Sequence, residues 1–237
     1  ALMIVMLATN EVESGIWVNL AGALFIFPFV LFSPVAGQVA DKYCKAKVLR
    51  YVKFAEIPIM CFAGLAFYLE SNPLLVFTIF LMGAQSSFFG PAKYSILPQH
   101  LSAEKLTAGN GLISMSTFIA IITGLILATI LVSKGLTGYI IFAVVGCALL
   151  GYLTSRYIPD AKPYGDNANN KVSFNFLKET KSLWNVSREN NAIFMAIVAI
   201  SWLWFLGAVV LTQMPSVAKF VLGGNADLST ALTMMFV

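Results

Sequence analysis

The sequence predicts an all-α membrane protein, and three observations carry that prediction. Hydrophobic residues make up 59% of the 237 and charged residues only 11%, with a mean hydropathy of +0.82, far more apolar than a water-soluble domain. The apolar residues gather into stretches long enough to cross a bilayer, about 20 residues each, as a helix must be to satisfy its own backbone hydrogen bonds in lipid. Finally, the links between those stretches alternate in charge.

Six stretches meet the length requirement: 16–36, 48–69, 74–97, 108–132, 136–157 and 192–214. Partial stretches at 1–8 and 228–237 are the expected remains of two further spans, because the chain opens without Met in "ALMIVMLA" and stops inside "ALTMMFV". The opening run has no basic region ahead of it and no small-residue cleavage site behind it, so it reads as the end of a helix and not as a signal peptide. The chain is therefore expected to be a fragment.

One set of links holds Lys42, Lys45, Lys47, Arg50 and Lys53, then Lys105, then Arg156, Lys162, Lys171, Lys178, Lys181 and Arg188; the other holds Lys134 and Lys219 beside Glu11, Glu13, Glu70 and Asp227. The positive-inside rule places the first set in the cytoplasm. The net charge of +4 thus reports topology, and no nucleic-acid partner is expected, since the basic residues flank spans.

The longest link divides the chain into three expected units: a bundle at 1–157, a cytoplasmic linker at 158–191 and the start of a second bundle at 192–237. The first half of the linker is rich in Pro, Gly, Asp and Asn and reads as flexible. Its second half reads as an amphipathic helix lying on the membrane surface, with Phe176, Leu177, Leu183 and Trp184 on one side and Lys178, Glu179, Lys181 and Arg188 on the other. Cys44, Cys61 and Cys147 are scattered, with no C-x-x-C and no neighbouring His, so neither metal nor cofactor is expected. His100 is the only histidine, and it has Glu104 and Lys105 where an acyltransferase would need an Asp after four intervening residues. Catalysis by this chain is not expected.

"GQVADKYCKAKVLR", residues 37–50, closes one span with Gly37, Asp41, Lys42 and Lys45. A charged tight turn would account for it, with Gly37 letting a neighbouring helix come close. The pattern also resembles the loop signature G-x-x-x-D-[RK]-x-G-[RK]-[RK] of the major facilitator superfamily, with Cys44 in place of the second Gly and Ala46 in place of one basic residue. That resemblance implies about twelve helices in two six-helix halves, and makes Gly37, Asp41, Lys42 and Lys45 a conformational latch whose partner lies in the other half. The chain then runs from the end of the first helix to the start of the eighth, and the long link falls after the sixth, as the charge alternation independently requires.

In this fold the fourth helix lines the central cavity, and here it carries Gln85, Phe89 and Lys93 at i, i+4, i+8, on one face. Pro91 has no N–H to offer the carbonyl of Ser87, which favours a wet face. Two readings of Lys93 compete: a cavity cation, or an interfacial lysine snorkelling to lipid phosphates. Asn110, Ser114 and Thr117 on the next helix read mainly as helix-packing residues. Glu56, inside a span, is expected to pair with Lys53 or Lys93, with a coupling proton as the alternative.

"GPAKYSILPQHL", with "NGLISMSTFIAIITG" and "SWLWFLGAVVLTQMPSVAKFVLGG", is similar to the lysophospholipid transporter branch of that superfamily, most closely to the form fused upstream of a 2-acylglycerophosphoethanolamine acyltransferase and acyl-ACP ligase in some Gram-negative bacteria. The resemblance implies transport of lysophospholipids, chiefly lysophosphatidylethanolamine, across the bacterial inner membrane, with a fused or associated acyltransferase as partner. It makes Lys93 the candidate phosphate contact, with Gln85, Phe89 and Gln213 as further substrate-binding candidates. The stand-alone transporters carry an Arg in the seventh helix, where this sequence has the neutral pair Thr212 and Gln213. Rival functions are a membrane anchor for a fused enzyme, or transport of another amphipathic solute or drug. Drug antiporters typically carry a G-P-x-x-G-G motif in the fifth helix, which "GLISMSTFIAIITGLIL" lacks.

Overall fold

The computed structural model describes residues 13–134, 136–161, 172–173 and 175–220. The partial spans expected at 1–8 and 228–237 lie outside them, as does most of the first half of the linker. The described residues form α1 (Glu13–Lys42), α2 (Lys45–Tyr68), α3 (Asn72–Ser95), the single turn α4 (Leu97–His100), α5 (Ala103–Ser133), α6 (Thr137–Ser155), α7 (Phe176–Glu189) and α8 (Asn191–Phe220). α3 holds the stretch counted from the sequence as the fourth helix. Each of the six apolar stretches is a helix, extended at most ends by a few polar residues.

By length and composition, 20–42, 72–100, 103–128 and 138–155 can each cross a membrane, and α7 with the first part of α8 forms a pair bent by 118° that adds a fifth candidate. α2 falls outside this set although a span was expected at 48–69. Its first half carries Lys45, Lys47, Arg50, Lys53 and Glu56, which make it less apolar than a simple span.

Two clusters of buried side chains fix the packing of α1, α2 and α3, with α2 antiparallel to the other two. At one end Ala40, Ala46, Val48, Leu49, Ala92, Ile96 and Ala161 pack together, with Cys44 and Phe89 against them. At the other, Ala21, Ala66, Leu75, Val76 and Ile79 do so. The end of α1, the start of α2, the end of α3 and the segment after α6 therefore share one end of the molecule, the end rich in Lys and Arg. Alanines make up most of the first cluster and share the second with Leu75, Val76 and Ile79; small residues of this kind let helices associate in lipid by close backbone approach.

The closest approach is at Gly83 on α3. A Cβ there would collide with the carbonyl oxygen of Phe25 on α1. The sequence assigned this role to Gly37, but a Cβ on Gly37 would meet nothing within 4 Å among the described residues; Gly37 lies at the basic end of α1, beyond this crossing. Thr78 and Ser87 in the same interface are almost fully buried. Their hydroxyls donate to the carbonyls of Leu74 at 2.8 Å and Ala84 at 2.7 Å, so burial leaves no donor unmet.

α2 ends in a left-handed turn. Glu70 has φ 48, the N–H of Ser71 donates to Ala66 O at 3.2 Å and that of Glu70 to Phe67 O at 3.1 Å, the paired bonds of a Schellman cap. Glycine is the residue best suited to the Glu70 position.

Two variants check this packing in the full-length protein by thermal unfolding in detergent. Gly83→Leu forces α1 and α3 apart and should cost about 3 kcal/mol or more, or prevent accumulation in the membrane. Glu70→Gly should instead stabilise by about 1 kcal/mol, by relieving the left-handed backbone.

Candidate functional site

The polar face expected on α3 is built as a chain of contacts reaching two neighbouring helices. Gln85 donates through Nε2 to the carbonyl of Val52 at 3.3 Å and to Glu56 Oε2 at 3.4 Å, both on α2. Its own Oε1 accepts from Ser86 Oγ at 3.3 Å. Glu56 Oε2 also accepts from Lys53 Nζ at 2.8 Å. Of the partners open to Glu56, the structure selects Lys53, one helical turn away, and the side chains of this pair are only 25% and 23% exposed. At that depth the two charges attract more strongly than at a surface and are harder to separate.

Phe89, one turn further along α3, receives two cations. Lys53 Nζ lies 4.8 Å from the ring centroid and Lys93 Nζ lies 5.6 Å from it. Lys93 also sits 4.9 Å from the ring of Tyr94 and donates to Thr117 Oγ1 on α5 at 3.5 Å. Thr117 in turn donates to the carbonyl of Ile113 at 2.7 Å, which leaves its oxygen aligned to accept. Aromatic faces attract ammonium groups through their quadrupole, the more so when partly desolvated. Between α2, α3 and α5 the cluster thus contains two lysines and one carboxylate.

α3 runs through Pro91 without a break. Pro91 is itself half-buried, and Ala92 beside it is fully buried in the basic-end cluster, so this stretch is held from behind while Lys93 turns away from that core. Gln85, Phe89, Lys93 and Glu56 are therefore brought into one connected network. Gln213 lies within α8, but its side chain is outside the described residues, as are those of Thr212 and Lys219.

Lys53 and Thr117 are members that the sequence reading did not place at the site. The sequence offered Lys53 only as one of two pairing partners for Glu56, although its i, i+3 spacing to that residue was in view. Thr117 was visible only as one of several hydroxyls at helical spacing. Among the described residues, no group of three or more His, Cys, Asp or Glu side chains is placed to share a metal ion.

The latch residues lie at the basic end. Asp41 is exposed at the end of α1 and belongs to neither of the two ion pairs among the described residues. Lys42 Nζ lies 5.6 Å from the ring of Tyr43, while Lys45 is 4% exposed and its N–H donates to Ala161 O at 3.0 Å. The start of the linker and its middle, at Ser173, are tied to this loop. Arg50 donates to Ile158 O at 2.6 Å and pairs with Asp160 at 3.2 Å. The amide of Gln38 makes a reciprocal pair with the backbone of Ser173, accepting from its N–H at 2.8 Å and donating to its carbonyl at 3.4 Å.

The linker helix α7 is amphipathic as expected. Asn175 caps it, accepting from the N–H of Lys178, and Leu177, Leu183, Trp184 and Val186 stay exposed. At the bend into α8, Asn190 Oδ1 accepts from the N–H groups of Ala192 at 3.0 Å and Ile193 at 3.4 Å. Arg188 covers the rings of Trp184 and Phe194 at 5.0 and 5.5 Å.

Comparison with known proteins agrees with this architecture. The family model described as Major Facilitator Superfamily matches residues 2–237. The lysophospholipid transporter LplT of Escherichia coli O1:K1 / APEC is 31% identical over 191 residues, covering 78% of this chain and 44% of that protein. Its counterpart in Escherichia coli O45:K1 (strain S88 / ExPEC) gives the same values, and that in Escherichia coli O6:K15:H31 (strain 536 / UPEC) is 30% identical over the same shares. The chain spans less than half the length of these relatives. No solved structure matches it. With the family model covering nearly every residue and an all-helical fold beneath it, the chain belongs to the major facilitator superfamily.

Proposed function

We propose that the protein containing this chain moves lysophospholipids, chiefly lysophosphatidylethanolamine, across the bacterial inner membrane by alternating access, and that it is a transporter and not an enzyme. The observation that carries this reading is the setting of Lys93. Its ammonium has a hydroxyl and two aromatic rings for neighbours and takes part in neither ion pair among the described residues. A half-buried cation held by neutral groups is poised for an anion, and a phosphodiester supplies one with several acceptor oxygens. A snorkelling lysine would instead extend from the bundle into the lipid headgroups, whereas this one turns to Thr117 on the adjacent helix. The names of the relatives point to the same substrate class.

In this reading Phe89 positions Lys93, Gln85 braces α3 against α2, and Gln213 is the candidate contact from the second half. The basic end faces the cytoplasm, where the linker 158–191 joins the six-helix bundle 1–157 to the bundle that begins at 192. Asp41, exposed and outside the ion pairs, is the latch carboxylate awaiting a partner from the other half; Gly37, Lys42 and Lys45 shape and charge its turn. Substrate delivered to the cytoplasmic face would meet an acyltransferase and acyl-ACP ligase, fused or associated, for re-acylation.

Uptake of radiolabelled lysophosphatidylethanolamine into spheroplasts expressing the full-length protein tests the proposal against a Lys93→Ala variant of equal abundance. Loss of one charge-assisted contact should lower uptake about tenfold or more. Equal uptake by the variant would remove Lys93 from the mechanism, and uptake no greater than that of vector-only cells would remove the function.

A further inference from the structure

The Lys53–Glu56 pair has a feature that a purely structural ion pair does not need: its cation is shared with the ring that holds Lys93. Lys53 Nζ is bound to Glu56 at 2.8 Å and at the same time lies 4.8 Å from the centroid of Phe89, on which the second ammonium rests at 5.6 Å. On its other side the lysine stem runs along α6 at a glycine, and a Cβ on Gly151 would touch Lys53 Cδ and Nζ at 3.7 Å. The lysine is thus held between Phe89 and α6, and Glu56 is held by Lys53 and the amide of Gln85.

Counting charges over this cluster gives two cations and one carboxylate. Placing two ammoniums on one ring in a partly desolvated setting is unfavourable unless an anion is shared between them. Glu56 meets that need for Lys53 alone. A phosphate bound at Lys93 would bring a second anion to the same ring and compete with Glu56 for Lys53. The exchange replaces one charge-assisted bond with another, so it proceeds without leaving a bare charge on the lysine.

We propose that Lys53 is a second phosphate-binding cation, held in reserve by Glu56, and that the Glu56 carboxylate occupies the place of the substrate phosphate when the site is empty. This rests on the lysophospholipid reading above and deepens it: affinity for the head group is set by competition between Glu56 and phosphate for Lys53. Gln85 is then a positioning residue, which keeps Glu56 on α2 within reach of Lys53 and receives the carboxylate when the lysine leaves it.

The test measures the half-saturating concentration for lysophosphatidylethanolamine uptake in spheroplasts, at matched membrane abundance, for the full-length protein and three variants. Glu56→Gln removes the competitor and should lower the half-saturating concentration by about threefold to tenfold. Lys53→Met should raise it by about tenfold, and the double variant Lys53→Met/Glu56→Met should stay as poor as Lys53→Met. If Glu56→Gln and Lys53→Met impair uptake alike and the double variant restores it, the pair is only structural and the proposal is overturned. Half-saturation unchanged in both single variants also overturns it. If the unsubstituted protein takes up no lysophosphatidylethanolamine, the transport reading itself fails and this proposal with it, an outcome distinguished from the others by wild-type uptake alone.

Discussion

One aromatic ring, that of Phe89, receives the ammonium groups of both Lys53 and Lys93, and the polar cluster between α2, α3 and α5 is arranged around that contact. Cations inside an apolar bundle are costly unless neighbouring groups replace water. The ring supplies part of that replacement from α3, Glu56 supplies it to Lys53 from α2, and Thr117 supplies it to Lys93 from α5. Without the ring the two lysines would each face a neighbouring helix, but nothing would hold them in one site.

The contact depends in turn on how tightly α3 is held. Gly83 allows the backbone of α3 to approach that of α1, Ala92 buries the helix behind Lys93, and Gln85 ties it to α2. At the basic end, Arg50 and Gln38 fasten the start and the middle of the linker to the loop that carries Asp41. In the proposed latch, a change at Asp41 would reach the linker through these hydrogen bonds.

The helices and their antiparallel order were legible because apolar length and charge alternation are strong signals in a membrane protein. The face of α3 was legible because Gln85, Phe89 and Lys93 recur at helical spacing. What lay beyond reach was partner choice between helices. Spacing left Glu56 with both Lys53 and Lys93 as candidates, and tertiary packing selected the nearer. Thr117 looked like a packing residue because a hydroxyl that bonds its own helix at Ile113 has the same spacing whether or not a lysine arrives from next door. Gly37 stands out through its motif, whereas a glycine that does permit close helix contact, Gly83, sits in an unremarked apolar run. The charges in the first half of α2 made that helix less apolar than a simple span, and Lys53 and Glu56 among them belong to the polar cluster around Phe89.

The central claim is that the lysines around Phe89 hold the phosphate of a lysophospholipid. An experimental structure of the full-length protein with lysophosphatidylethanolamine bound tests it most directly. The account predicts phosphate oxygens within hydrogen-bonding distance of Lys93 Nζ, close to the Phe89 ring and with Lys53 drawn away from Glu56. A head group seated elsewhere, with Lys93 extended to the surrounding bilayer phosphates and the Lys53–Glu56 pair intact, would contradict it.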